Sequence, residues 1–135
     1  MILVDSCVLI DVIDEDPTWL EASLEALDAW SHRGPVVINP VVYAEVSLDF
    51  DSPRTLDALL DKVGVVFAEL PREALFLAAR AHHAYRRRGG TRTGVLPDFF
   101  IGAHALVLEV PVLTRDPRRF RSAFPSLRLV SPARP

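Results

Sequence analysis

The feature that most constrains this chain is a series of short apolar runs, each leading into an amphipathic segment. The first, Ile2-Leu3-Val4, passes directly into Asp5-Ser6. Val36-Val37-Ile38, Val65-Val66-Phe67 and Val112-Leu113 repeat it, and Leu127 to Val130 offers a fifth. Runs this short are strands, and strands without polar alternation are covered on both faces. Strands of that kind alternating with helices specify an α/β fold in three layers, with about five parallel strands flanked by helices.

The segments between the runs carry helix signals. Pro17 is expected to open a helix that buries Leu20, Leu24 and Leu27 and stops at Gly34. Asn39-Pro40 and Ser52-Pro53 read as cap and first-turn pairs. Pro71 starts a long helix ending at Gly89-Gly90, and a helix from Asp98 to about Glu109 is apolar almost all round, hence central. Pro117 starts a short basic helix. No repeat or linker divides the chain, so residues 1–135 are expected to form a single domain.

Composition removes several classes. The one cysteine, Cys7, excludes an internal disulfide framework and a cysteine-based zinc site. Asp5 and Asp11 interrupt the apolar start, which is neither a signal peptide nor a membrane span, so a cytoplasmic protein without a membrane partner is expected. The net charge of −3 hides a split. Residues 1–85 carry 15 acidic and 5 basic side chains, whereas residues 86–135 carry 3 acidic and 10 basic ones, all arginine. Guanidinium groups clustered in this way suit a polyanion.

Four carboxylates stand where carboxylates are awkward. Asp5 follows the first strand and Asp116 the fourth, and ligands of open parallel sheets bind beyond those ends. Glu45 follows Val41 by four residues and precedes Leu48 by three, so it is expected on the apolar face of its helix. Asp98 lines up with Ile101, Gly102 and Ala105. An unpaired carboxylate there is costly or takes up a proton. One divalent cation accounts for all four, and oxygen donors without a His/Cys cluster suit Mg²⁺ or Mn²⁺. Ser6 and Thr114 adjoin the acids and are placed to orient them through their hydroxyls. The plainer alternatives stay open. Asp5, Asp98 and Asp116 each suit a helix cap, Arg115 is an available ion-pair partner, and Ser6 and Thr114 suit turns.

Four stretches together carry a family resemblance: Ile2-Leu-Val-Asp5-Ser6, Asn39-Pro-Val-Val-Tyr-Ala-Glu45, Pro97-Asp98-Phe-Phe-Ile-Gly-Ala103 and Leu113-Thr-Arg-Asp116-Pro-Arg. With these, the chain resembles the PIN-domain nucleases, and among them the VapC-type toxins of toxin–antitoxin pairs. The resemblance implies an endoribonuclease that needs Mg²⁺ or Mn²⁺. Asp5 and Asp98 would be primary ligands, Glu45 would assist at the metal or position water, and Asp116 would complete the cluster. Two positions depart from the pattern: Ser6 replaces a common threonine, and Cys7 a small polar residue.

The resemblance also implies a VapB-like antitoxin, and a homodimer or a hetero-oligomer with that antitoxin. An apolar early region (Val8, Leu9, Val12, Trp19, Leu20) is expected to form the antitoxin's groove. Arg115, Arg118, Arg119 and Arg92 are the candidate RNA contacts. A different class stays open, a catalytically inactive PIN-like RNA- or protein-binding module whose acids are neutralised by protons or arginine. The remaining features read as structural. His82-His83 point apart on a helix, His104 reads as a satisfied core histidine, and the two tryptophans show no spacing that suggests base stacking.

Overall fold

The computed structural model describes all residues 1–135. Five strands form one sheet: β1 (Ile2–Val4), β2 (Val36–Ile38), β3 (Val65–Phe67), β4 (Val112–Leu113) and β5 (Leu129–Val130). All pairings are parallel, in the order β3-β2-β1-β4-β5, with Leu3 opposite both Val37 and Val112. Seven helices flank the sheet: α1 (Ser6–Ile13), α2 (Leu20–Ser31), α3 (Pro40–Val46), α4 (Pro53–Val63), α5 (Arg72–Arg87), α6 (Leu96–Leu108) and α7 (Arg118–Arg121). No helix is long and apolar enough to cross a membrane.

Local chemistry sets the helix starts. Asn39 is buried, and its Oδ1 accepts from the N–H groups of Val41 and Val42, both at 3.0 Å, which fixes α3. The Nδ2 group of Asn39 donates to His104 Nδ1 at 3.3 Å, and burial lowers the pKa of that histidine, keeping the ring a neutral acceptor. Ser52 caps α4, and Gly64 ends it in the left-handed region at φ 76°. The second helix begins at Leu20 rather than Pro17, because Asp16 Oδ1 binds the N–H groups of Thr18 and Trp19 and holds the intervening residues in a turn.

Three burial expectations need correction. Val66 and Phe67 are 55% and 42% exposed, because β3 is an edge strand with incomplete cover. Leu24 sits at the rim of α2 rather than inside. Val8 and Leu9, on α1, are fully buried, whereas Val12, Trp19 and Leu20 are half-buried, so two of the five residues expected to line an apolar groove belong to the core. Val8 and Leu9 are core because α1 packs on α2 and α3. Exposed apolar side chains include Leu48, Phe76 and the β3 edge.

The strand order carries the functional consequence. From β1 the chain builds β2 and β3 to one side, then returns to place β4 and β5 on the other. Segments leaving β1 and β4 therefore diverge, opening a crevice where both strands end. Helix α7 and the turn after it close one flank by packing on α6 at Gly102. A Cβ there would lie 3.4 Å from the Phe120 ring of α7 and 2.5 Å from the ring of Phe124, just beyond it. Gly102→Ala should therefore cost about 1–3 kcal/mol as Phe124 is pushed aside. Denaturant melts check this, and an unchanged midpoint would show that α7 does not depend on this close approach.

Candidate active site

The crevice brings three of the four expected carboxylates onto one cation and sets the fourth beside them. Asp5 ends β1 and is completely buried. Its Oδ1 accepts the Ser6 N–H at 2.8 Å, and its Oδ2 accepts the Thr114 hydroxyl at 2.8 Å. The same Thr114 oxygen accepts the Asp116 N–H at 3.0 Å, so one hydroxyl ties the ends of β1 and β4 together. Ser6 contributes its backbone to Asp5, and its hydroxyl lowers the pKa of Glu45.

Arg119 supplies the cation. Its Nη2 bonds Asp5 Oδ2, and its Nη1 donates to Asp98 Oδ1 at 3.0 Å. Its Nε lies 3.9 Å from Asp116 Oδ2. Burial works against its charge, but Asp5 and Asp98 outweigh that and hold the pKa above the ordinary arginine value. The expected ion-pair partner, Arg115, goes elsewhere and binds Asp11 at 3.0 Å.

Asp98 sits in the first turn of α6, two residues past its start. Burial pushes its pKa up to about 6; Arg119 opposes the shift, while Asp5 and Glu45 add to it. The capping alternatives separate by residue. Asp5 does cap α1, but neither Asp98 nor Asp116 makes a side-chain cap. Asp116 instead lies at the crevice rim, with Oδ1 buried and without a hydrogen-bond partner.

Glu45 corrects one expectation. It is exposed rather than held on the apolar face, because the buried stripe of α3 runs through Val42 and Val46 and leaves Glu45 outside it. Its carboxyl still belongs to the crevice. Desolvation raises its pKa, Ser6 opposes the shift, Asp5 adds to it and Arg119 opposes it.

The expected RNA contacts divide. Arg115 and Arg119 are ion-paired inward and are not free phosphate contacts, because buried aspartates claim them. Arg118 is exposed apart from a loose pair with Asp116 at 3.5 Å. Arg92 is exposed and lowers the pKa of Asp98, which places it near the mouth.

One residue overlooked as a site component, Asp11, and one noted only as a departure from the family pattern, Cys7, enter the account. Asp11 is buried, receives the Ser23 hydroxyl at 2.7 Å and anchors Arg115. Its position three residues after Val8, on the apolar face of α1, was the available signal. Cys7 lies with Sγ 3.4 Å from Asp5 Oδ2 and accepts the Arg115 N–H at 3.4 Å. Burial, then Asp5, push its thiol up to about 11, so it remains protonated and serves as a weak donor, not a nucleophile.

No three metal-ligating side chains converge on a common point, because Arg119 stands among the carboxylates. The donor chemistry nonetheless fits a hard divalent ion. The acids supply only oxygen, a guanidinium already serves as their shared cation, and Asp116 Oδ1 is an unmatched acceptor.

Comparison with curated proteins finds no match. Among solved structures, the chain is similar to VapBC2 from Rickettsia felis bound to a DNA fragment from its promoter, with 16% identity and a TM-score of 0.75. That similarity covers 98% of this chain and 100% of the other. It is also similar to DNA-bound VapBC from Salmonella typhimurium, at 19% identity and a TM-score of 0.70, covering 96% of each chain. FitAcB from Neisseria gonorrhoeae aligns at 19% identity and a TM-score of 0.66, again over 96% of each. These similarities are of fold. The PIN domain family model matches residues 2–124, which takes in the sheet crevice and all four acids, and the chain belongs to the PIN domain family.

Proposed function

We propose that this protein is a metal-dependent endoribonuclease acting as the VapC-type toxin of a toxin–antitoxin pair. The observation that carries the reading is the gathering of Asp5, Asp98 and Asp116 around one guanidinium, with Glu45 beside them, where β1 and β4 end. Toxin–antitoxin complexes among the similar folds support an antitoxin partner, as a hetero-oligomer or alongside a homodimer.

Asp5 and Asp98 would hold a Mg²⁺ or Mn²⁺ ion, with Asp116 at the rim completing the set. When bound, the ion neutralises charge developing on the phosphodiester. The chain's own groups do the rest. Thr114 fixes Asp5 Oδ2 and the Asp116 backbone in one network. Glu45, whose raised pKa makes it a stronger base than an ordinary carboxylate, would take the proton of an attacking water. Arg92 and Arg118 stand exposed at the mouth for phosphates.

One observation favours a second reading, a catalytically inactive PIN-like binding module. Arg119 already neutralises Asp5 and Asp98 without a metal. Mn²⁺ titration separates the two, since a nuclease binds the ion and a finished scaffold does not.

RNA cleavage should require Mg²⁺ or Mn²⁺, and full activity in excess chelator would sink the proposal. Asp5→Asn and Asp98→Asn should each slow cleavage by about a hundredfold or more. Wild-type rates in either variant would remove that residue from the site.

Stability gives an independent reading. Arg119→Ala leaves buried Asp5 without its cation, a loss of about 3–5 kcal/mol for a fully buried pair and less here, with Arg119 a quarter exposed. Mn²⁺ should then raise the Tm of the variant by more than it raises that of the wild type, because no guanidinium competes. Equal shifts would mean that the ion and Arg119 do not share the acids.

The pH dependence follows from Asp98, whose folded pKa of about 6 lies above its unfolded value. Its protonated form favours the metal-free fold, a contribution present below about pH 4 and lost as pH rises through 6. Metal needs the ionised form, so Mn²⁺ affinity measured by calorimetry should climb through the same window. A flat profile would take Asp98 out of the ligand set.

A further inference from the structure

Alongside the carboxylates lies a cleft of about 690 Å³ between the start of α2 and the β4–α7 segment, which also takes in Arg134 near the chain end. Its wall carries Trp19, Arg115, Arg118, Arg121 and Arg134, with Asp116 as its one acid. Trp19 and Arg115 form a stacked pair, the guanidinium carbon 5.0 Å from the ring centre. The guanidinium is anchored from behind, where Arg115 holds buried Asp11 at 3.0 Å, and the backbone N–H of Trp19 bonds Asp16 Oδ1 at 2.8 Å, which fixes the main chain from which the indole projects. The pair is therefore a partly exposed platform with its guanidinium already ordered, which lowers the cost of binding.

A planar platform beside exposed guanidinium groups is the chemistry that takes single-stranded nucleic acid: bases stack on the π-face and phosphates meet the cations. Asp116 and Arg119 line the cleft and belong to the carboxylate centre as well, so the two are continuous. We propose that the cleft is a subsite for a nucleotide of single-stranded RNA flanking the scissile phosphate. Its base stacks on the Trp19–Arg115 pair, and its phosphates meet Arg118, Arg121 and Arg134. The inference rests on the ribonuclease reading and adds where the strand lies. An acidic protein segment would use only the charges of the arginines, whereas a base also extends the Trp19–Arg115 pair as a further planar layer, which is why RNA is favoured.

Trp30→Phe leaves Trp19 as the sole tryptophan fluorophore. With chelator present, so that nothing is cut, a short oligouridylate should quench that fluorescence, and Asp98→Asn should leave the quench intact. Trp19→Ala should weaken binding about tenfold. Arg115 is the wrong residue to change, since its loss strands Asp11. Arg121→Ala and Arg134→Ala alter only exposed side chains, and each should make the salt dependence of binding shallower by about 0.7 in slope. Oligouridylate binding that ignores all three variants and leaves Trp19 unquenched overturns the subsite and leaves the nuclease standing. Equal quenching by polyglutamate assigns the cleft to an acidic protein segment and overturns it too. Failure of the wild type to bind the oligonucleotide at all overturns both the subsite and the ribonuclease reading.

Discussion

Asp5 is completely buried at the end of a central strand, and most of the crevice follows from supplying its carboxyl group with partners. A carboxylate leaving the end of a central strand has no water to solvate it, so the protein has to supply donors and a positive charge. The donors come from nearby backbone and from the far end of β4, through Ser6 and Thr114. The charge comes from α7, more than a hundred residues later, through Arg119. Bringing Arg119 there requires α7 to lie close on α6, which in turn requires Gly102 to lack a side chain under Phe124. A glycine inside an apolar helix, a cost for the helix alone, is explained by that approach.

The fold was legible almost throughout, because its strands are apolar on both faces and its helices carry ordinary start signals. The failures have physical causes. Val66 and Phe67 have the composition of a central strand, and only the order β3-β2-β1-β4-β5 reveals that they lie at an edge. The α1 segment looks too apolar for so small a chain, yet α2 and α3 pack on it and bury Val8 and Leu9. In the crevice, residue type and strand-end position found the four acids. They did not reveal which arginine turns inward. Arg115 and Arg119 differ from Arg118 by their neighbours in space, and a single sequence carries no record of Asp11 reaching Arg115 across the domain. Glu45 is expected too deep because spacing from Val41 and Leu48 points to the wrong stripe: the residues of α3 that are buried are Val42 and Val46, and Leu48 is exposed.

The charge split takes on a different meaning once the chain is folded. The acidic first part and the arginine-rich last part are not two separate surfaces. Asp11 meets Arg115, and Asp5 meets Arg119, so part of the asymmetry is spent on joining the two ends of the chain across the sheet. What remains outside is sharper than composition suggested. After the inward pairs are removed, Arg118, Arg121 and Arg134 still border a single cleft.

That division is set by the geometry of one short helix. Arg118 and Arg119 are adjacent, and adjacent helical residues point in different directions, so α7 sends one guanidinium to the carboxylates and the next to the cleft. Phe120, fully buried, fixes the rotation of the helix between them. A helix of four residues has little stability of its own. Its orientation is held by Phe120 and Phe124 on one side and by the Arg119 ion pairs on the other. The carboxylate centre and the cationic cleft therefore share one structural element: the helix whose Arg119 neutralises Asp5 and Asp98 is the helix that presents Arg118 and Arg121.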